Sequence, residues 1–110
     1  MRIINLTPHD ITIVRDGAEP LTIKAAGIVA RAEQCREQVG TVDGIPVNHV
    51  VYGKTIGLPA PQDGVAYIVS SLTAQAVKTT EPSRRDIYIT DDAVRDTNGH
   101  IIGCRALAQV

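Results

Sequence analysis

The sequence predicts a mainly β fold: a small, compact barrel or sandwich of about seven to nine short, mostly antiparallel strands with one short helix. The first observation is composition, because the 110 residues include 13 Ile and 12 Val but only 5 Leu. Branching at Cβ restricts χ1 and suits a pleated sheet better than a helix. The second is the spacing of turn dipeptides between short apolar segments, and the third is that only one segment has a helix signature.

Turn dipeptides divide the chain into strand pairs. Asp43-Gly44 separates two β-type segments, which predicts a tight two-residue hairpin because Asp-Gly readily adopts the positive φ of such turns. Asp16-Gly17 and Asn98-Gly99 also lie between apolar segments, where longer, bulged loops are expected.

The other strands follow from alternation and from apolar runs. Residues 2–5 predict a first strand, and residues 86–90 place two isoleucines on one face. Residues 28–35 alternate, and their even-numbered side chains are mostly apolar and expected to face the core. The continuous apolar run 65–69 indicates a buried central strand. Residues 104–110 fit either a last strand or a short terminal helix.

One helix of about two turns is predicted over residues 70–77, where the leading serine suits an N-cap. Leu72, Gln75 and Ala76 share one face at helical spacing. We expect this face to pack over Val69.

Length and charge define the protein class. A chain of 110 residues predicts one β-rich domain, residues 1–110. A net charge of −1 and three tyrosines as the only aromatic residues predict no nucleic-acid partner, since binding needs a basic excess and stacking platforms. No apolar run approaches the roughly 18 residues of a membrane span, and the N-terminal segment lacks a signal-peptide pattern. We therefore expect no membrane partner and a cytoplasmic location.

The composition also predicts a thin core. Ile, Val, Ala and three tyrosines must fill it, because Phe and Trp are absent. A small domain with a thin core often buries a further surface by self-association, so we expect a homo-oligomer.

The cysteines and histidines give no sign of a metal site. Cys35 and Cys104 are expected to be small, reduced, buried hydrophobes, and a bridge between them would require their Cα atoms to come within disulfide range. His9, His49 and His100 are scattered without carboxylates at ligand spacing. Neither a metal nor another cofactor is predicted.

The most distinctive polar segment is Thr7-Pro8-His9-Asp10. The favoured interpretation is a β-turn between the first two strands, in which Thr7 and Asp10 bond to local backbone. The other interpretation makes His9 a general acid or base oriented by Asp10 or by another carboxylate, because imidazole titrates near neutral pH. No catalytic residue is assigned beyond these two candidates.

Four arginines are the candidate ligand-binding residues: Arg84, Arg85, Arg95 and Arg105. Guanidinium groups bind phosphate or carboxylate through paired hydrogen bonds. Arg84, Arg85 and Arg105 would converge if the last strands pair. The alternative interpretation is solvated loop residues and strand-end ion pairs, which contribute little to stability.

Distinctive segments run along nearly the whole chain. They are Asn5-Leu6-Thr7-Pro8-His9-Asp10-Ile11, residues 40–47, residues 57–62, residues 67–70, Val94-Arg95-Asp96 and residues 103–107. In these segments the chain resembles a family of small proteins of bacterial genomes, phages and prophages that open with Asn-Leu-Thr-Pro-His and have no assigned activity. The resemblance implies a phage or mobile-element context and transfers no catalytic residue.

The resemblance, the thin core and the lack of a catalytic motif favour a non-enzymatic, phage- or prophage-related accessory protein. It would act through self-association or through binding a protein partner. The alternative is a protein that binds or sequesters an anionic small molecule, such as a nucleotide signal, through the four arginines. A small hydrolase-like enzyme that uses His9 and Asp10 is the least favoured hypothesis.

Overall fold

The computed structural model describes residues 2–110. Eight strands and one helix lie in this range, and they confirm the mainly β class. Two of the strands, each of 12 residues, are much longer than the short strands that the sequence predicts. In chain order the elements are β1 Arg2–Asn5, β2 Ile11–Ile13, β3 Leu21–Ile23, β4 Arg31–Val42, β5 Ile45–Ile56, β6 Val65–Ile68, α1 Ser71–Thr80, β7 Ile87–Arg95 and β8 Ile101–Ala108.

Six strands form a barrel-like sheet in the order β1-β6-β7-β8-β2-β3. The sheet nearly closes on itself, because a bridge between Asn5 and Ala25 joins its two outer edges. The N–H of Ala26 also donates to the carbonyl of Asn5 over 2.9 Å. β4 and β5 form a separate two-stranded sheet.

Pairing among the described strands is mixed: three strand pairs are antiparallel and three are parallel, and the antiparallel pairs hold most of the paired residues. β1 and β7 both run parallel to β6, and β2 meets β8 in parallel at Ile13 and Cys104. The parallel β6–β7 pair follows from α1, because a helical crossover returns the chain to the same end of the sheet. The three predicted hairpins, β2–β3, β4–β5 and β7–β8, are antiparallel. The C-terminal segment is mostly strand and does not form a helix.

The tight turn predicted between β4 and β5 is confirmed. Asp43 and Gly44 have φ angles of 49° and 77°. Both central residues of the turn are therefore left-handed, as a two-residue hairpin of type I′ requires. The Asp-Gly and Asn-Gly dipeptides at positions 16–17 and 98–99 lie in the longer loops of the other two hairpins.

β6 is the buried strand that the apolar run predicts. Ala66, Tyr67 and Ile68 are each no more than 4% exposed. Tyr67 packs in the main core cluster with Ala74 and Val77 of the helix. Its neighbours Ala66 and Ile68 point to the opposite face, because side chains alternate along a strand. Burial on both faces explains why every residue of this strand is apolar.

The helix begins as predicted. The Oγ of Ser70 accepts the N–H of Thr73 over 3.2 Å and caps the first turn. α1 then runs to Thr80, nearly three turns. Within residues 2–110, no helix is long and apolar enough to cross a membrane.

The packing face predicted for this helix is wrong in part: Ala76 is buried as predicted, but the other two residues of that face are not. Leu72 is 40% exposed and Gln75 is exposed, whereas Ala74 and Val77 are buried in the core. Thr73 is also buried, and its hydroxyl donates to a backbone carbonyl in the segment before β4. The contacting face is thus rotated toward residues whose small or hydrogen-bonding side chains allow close approach.

The prediction of a core-facing strand over residues 28–35 is wrong in part. β4 begins only at Arg31, and Ile28 is 59% exposed. Ala30 is buried, but it docks as irregular chain, with its N–H donating to the carbonyl of Leu6 over 3.0 Å. The even-numbered positions of β4 beyond residue 32 are exposed. The alternation there correctly indicates a strand, but this strand projects away from the six-stranded sheet and the helix, which we call the body of the protein.

Candidate functional sites

A buried asparagine organises the turn between β1 and β2. Asn5 is 1% exposed, and its Nδ2 donates to the carbonyls of His9 and Ile23 over 2.8 and 3.1 Å. Its Oδ1 accepts the N–H and the hydroxyl of Thr7 over 3.0 and 2.6 Å. These four bonds join β1, the turn and β3, in agreement with the turn interpretation of this segment. Sequence reasoning missed Asn5, although a lone amide that ends an apolar strand just before a Thr-Pro turn was the available signal.

The two catalytic candidates do not form a hydrogen-bonded pair in the described chain. Asp10 Oδ1 accepts the N–H of Ala25 over 2.8 Å, and Asp10 Oδ2 lies 3.5 Å from Lys24 Nζ. The backbone hydrogen bond, assisted by the Lys24 charge, lowers the pKa of the Asp10 carboxyl. Asp10 therefore bonds across to the segment after β3 rather than to the local backbone. His9 is exposed, and Asp10 does not orient its ring.

Arg84 is engaged within the fold. Its side chain is 5% exposed, and its Nε and Nη2 donate to the two carboxylate oxygens of Asp86 over 3.0 and 2.8 Å. Nη2 also donates to the carbonyl of Pro59 over 3.0 Å, and the guanidinium lies 6.0 Å from the centre of the Tyr67 ring. The paired hydrogen bond lowers the pKa of Asp86 and raises that of Arg84. The charge of this arginine is thus matched before any ligand arrives.

The other predicted arginines lie apart from one another. Arg85 is exposed, and its guanidinium donates to two carbonyls of its own loop. Arg95 ends the nine-residue strand β7, about 27 Å from the start of that strand, and donates to a carbonyl of the following loop. The Nη1 of Arg105 lies 3.6 Å from the Oδ1 of Asp16, in an ion pair at the surface. The last strands pair as expected, but of the three arginines predicted to converge only Arg84 and Arg85 line a common groove, while Arg105 pairs with Asp16.

A cleft of about 760 Å³ opens where β2 diverges from β8. Its volume lies within the range of about 300–1,000 Å³ that is typical of small-molecule sites. Asp92 forms part of its wall and has a φ of 55°, a left-handed conformation in the middle of β7. The isoleucines and hydroxyl residues of its lining are Ile11, Ile89, Ile101, Ile102, Thr7, Thr12, Thr90, Ser70 and Ser71.

The charges along this cleft disfavour an anionic ligand. Asp10, Asp91 and Asp92 line it together with His9, and none of its lining residues is Lys or Arg. Within the part of the chain that the structure describes, no group of three or more His, Cys, Asp or Glu residues is placed to hold a metal ion. The cleft is therefore suited to a neutral or cationic group rather than to a phosphate.

The two cysteines occupy different environments. Cys104 is buried beside the cleft, and burial raises the pKa of its thiol. Cys35 is exposed on β4, so the prediction of a buried thiol is wrong for this residue. Both thiols are free.

The β4–β5 hairpin projects from the body of the protein. We name residues 33–49, its distal part, the arm, and every residue of the arm is exposed. β4 and β5 pair only with each other among the described strands, while the base of the hairpin packs against α1. The Cα radius of gyration is 16.6 Å, against about 13 Å for a compact domain of this length.

One face of the arm is apolar near the turn. Val42 pairs with Ile45 and Gly40 with Val47, and residues two apart along a strand share a face. A bulge places two residues of β4, Val39 and Gly40, opposite Val47, so Val39 lies on the same face as Val47 instead of following the alternation. Val39, Val42 and Ile45 are 63%, 63% and 65% exposed, and Val47 is 37% exposed. We name these four side chains the apolar face. The opposite face near the turn carries Gln38, Thr41, Pro46 and Asn48.

Comparison with known proteins assigns no family to the chain. No family model, no curated protein and no solved structure matches it. The arm, the arginines and the cleft are therefore the features from which a function is inferred.

Proposed function

We propose that the protein is a non-enzymatic accessory module that acts by self-association through its arm. The observation that carries the proposal is the apolar face, whose four aliphatic side chains no other part of the described chain covers. A two-stranded hairpin is only marginally stable alone in water, so a covering surface would stabilise it. Such a role agrees with the phage or prophage context that the sequence resemblance implies.

The exposed surface area supports this proposal. The chain exposes 7551 Å², whereas a compact monomer of 11.8 kDa is expected to expose about 5,900 Å². The excess of about 1,650 Å² is roughly twice the 800 Å² that each partner buries in an interface of standard size. One protomer could therefore bury an ordinary interface and still keep a normal solvated surface.

The hydrophobic contribution predicts a modest affinity. Burying a Val or Ile side chain that is about half exposed is worth about 1–2 kcal/mol. Eight such side chains in a dimer contribute about 8–16 kcal/mol, which is set against about 4–15 kcal/mol for the lost freedom of two molecules. We expect a dimer that dissociates in the micromolar to millimolar range.

Sedimentation velocity over a concentration series tests this proposal. The weight-average mass should rise from 11.8 kDa toward twice that value as the concentration increases from about 1 μM to about 1 mM. A Val42→Ser, Ile45→Ser double variant should remain monomeric. The matched control, Thr41→Ser with Asn48→Ser on the opposite face, should associate like the parent. A parent chain that stays monomeric, or a Val42/Ile45 variant that associates equally well, would refute the proposal.

The second candidate function is binding of an anionic small molecule, and one groove favours it. Lys78, Arg84 and Arg85 line a groove of about 350 Å³ between the end of α1 and the end of the chain. Because Asp86 already matches the Arg84 charge, Lys78 and Arg85 supply the attraction there.

Thermal-shift measurements with inorganic phosphate and with a nucleotide panel test this second candidate. A ligand at 100 times its dissociation constant adds about 2.7 kcal/mol to the free energy of unfolding. Arg85→Gln should abolish the shift, whereas Arg95→Gln, at the far end of β7, should preserve it. No stabilisation by any of these anions would rule the candidate out.

A further inference from the structure

The face of the arm also indicates how two copies would meet. Resting on the self-association proposed above, we propose that the apolar faces of two arms pack against each other about a twofold axis that runs along the arms. The partner of the apolar face is then the same face of a second copy of this chain. A twofold axis makes the contact closed, so association would stop at the dimer.

The edges of the arm are poorly suited to pairing with another strand. In a two-residue hairpin the pair next to the turn, Val42 with Ile45, is hydrogen-bonded, so the next pair, Thr41 with Pro46, directs its backbone groups outward. Pro46 has no N–H, so the β5 edge lacks a donor there. On the other edge, the bulge at Val39 interrupts the regular spacing of donors and acceptors. Both edges are blunted, which leaves the apolar face as the surface to be covered.

Side-chain complementarity sets the direction of the axis. With the axis along the arms, β4 of one copy lies over β5 of the other. Val42 then lies over Ile45 of the second copy, and Glu37 over its His49, because these residues are directly opposite each other in the hairpin. Apolar groups thus meet apolar groups, and a carboxylate meets an imidazole that can donate an N–H.

The opposite arrangement, with the two arms antiparallel, is less favourable. With the two arms overlapped along their length, it would place the apolar tip of one arm over the Glu37–His49 pair of the other, so Val42 would cover the carboxylate of Glu37. Burying a carboxylate under an aliphatic group without a hydrogen-bond donor is costly. The aligned arrangement avoids this contact and is the one we infer.

The footprint of this contact fits a weak dimer. The part of β4 within the arm, residues 33–42, is about 33 Å long, and a two-stranded ribbon with its side chains is about 10 Å wide. Each copy would cover about 330 Å² of the other, about 660 Å² in total, which is below the size of a standard interface and typical of a weak, transient contact. The affinity would therefore depend on the few side chains of the apolar face.

Cysteine labelling tests which face is covered. In a Cys35→Ser background, where the remaining thiol Cys104 is buried, Val42→Cys and Thr41→Cys place a reporter on either face at neighbouring positions. Maleimide labelling of the Val42 reporter should slow about tenfold at a concentration where about nine-tenths of the chains are dimeric, whereas the Thr41 reporter should not change. If sedimentation shows a dimer and the Val42 reporter labels at an unchanged rate, the face-to-face contact is refuted while self-association stands. If no dimer forms, both proposals fail.

Mixing two charge variants tests the axis direction. Glu37→Lys should weaken association, because it removes the carboxylate that faces His49 of the second copy. His49→Glu should weaken it as well, because it places a second carboxylate over Glu37. An equimolar mixture should associate about threefold more tightly than either variant alone, because the lysine introduced in one chain then meets the glutamate introduced in the other. Pairing within one hairpin cannot produce this complementation. A mixture no tighter than its components would refute the aligned arrangement.

Discussion

Replacing Asp86 with Asn tests the structural role assigned to Arg84. The change keeps the size of the side chain but removes its negative charge and one acceptor oxygen. Arg84 would still donate to the carbonyl of Pro59. The remaining carboxylate nearby is that of Glu81, a half-exposed side chain whose Oε1 lies 3.8 Å from Arg84 Nη1. The Arg84 side chain is only 5% exposed, so the positive charge of its guanidinium would be buried without its main counter-charge.

The expected destabilisation follows from the contacts that are lost. Two charge-assisted hydrogen bonds, of 3.0 and 2.8 Å, join Arg84 to Asp86. Each such bond contributes about 1.5–3 kcal/mol, and breaking a fully buried ion pair costs about 3–5 kcal/mol. The Asp86 side chain is 14% exposed, so the pair is not fully buried. We therefore expect Asp86→Asn to lower the free energy of unfolding by about 3 kcal/mol at pH 7, near the low end of that range.

The stabilisation that the Arg84–Asp86 pair contributes should depend on pH. The folded state holds the pKa of Asp86 below its unfolded value of about 3.9, so the pair stabilises the protein at neutral pH. The stabilisation is lost as the pH falls below about 4 and through the lowered pKa. Urea unfolding followed by circular dichroism should show the difference between the parent and Asp86→Asn narrow as the pH falls from 6 to 3, because the unfolded parent protonates Asp86 below about pH 4 and the variant has no carboxylate there to protonate.

The matched control for this experiment is Asp63→Asn, an exposed carboxylate that makes no ion pair with any described residue. Its free energy of unfolding should stay within about 0.5 kcal/mol of the parent. A loss below about 0.5 kcal/mol for Asp86→Asn at pH 7, or a loss that is the same at pH 3, would refute the role of the Arg84–Asp86 pair.

Three further substitutions test the fold by urea unfolding. Asn5→Ala leaves the carbonyls of His9 and Ile23 without their donor, and should cost about 2–4 kcal/mol; a loss of less than about 1 kcal/mol would contradict the role of Asn5. Ile68→Ala, at a side chain with 0% exposure, should cost about 2–5 kcal/mol, and near-parental stability would contradict the central position of β6. Gly44→Val forces a β-branched residue to a φ of 77° and should cost about 1–2 kcal/mol, which unchanged stability would contradict.

The parts of the fold that local chemistry determines were predictable from the sequence. Asp43-Gly44 has one favoured turn geometry, the Ser70 hydroxyl has one suitable N–H to accept, and the run 65–69 is too apolar to lie at the surface. The parallel pairing of β1 with β6 was not predictable in this way. It joins segments about 60 residues apart, and no local pattern specifies which distant strand becomes the neighbour.

The candidate sites were less predictable, because each depends on tertiary placement. Arg84 and Arg85 are adjacent in sequence, yet one is nearly buried against Asp86 and the other is exposed. Nothing in the local sequence separates them, since the difference arises from the loop that carries Pro59. The apolar pattern around Val42 has the same ambiguity. Alternation predicts a strand with one apolar face, but it does not say whether the core of the same chain covers that face.

The placement of the polar contacts separates the stability of the body from the properties of the arm. Asn5 ties β1 to the turn and β3, and the Arg84–Asp86 pair ties the start of β7 to the loop before β6. Neither set of bonds involves a residue of the arm. Exposed side chains such as Val42 can therefore be changed with little effect on the barrel, because substitutions away from buried contacts usually alter stability by less than about 0.5 kcal/mol. A loss of self-association in an arm variant that unfolds at the parental urea concentration would then report on the contact between two copies and not on the folding of one.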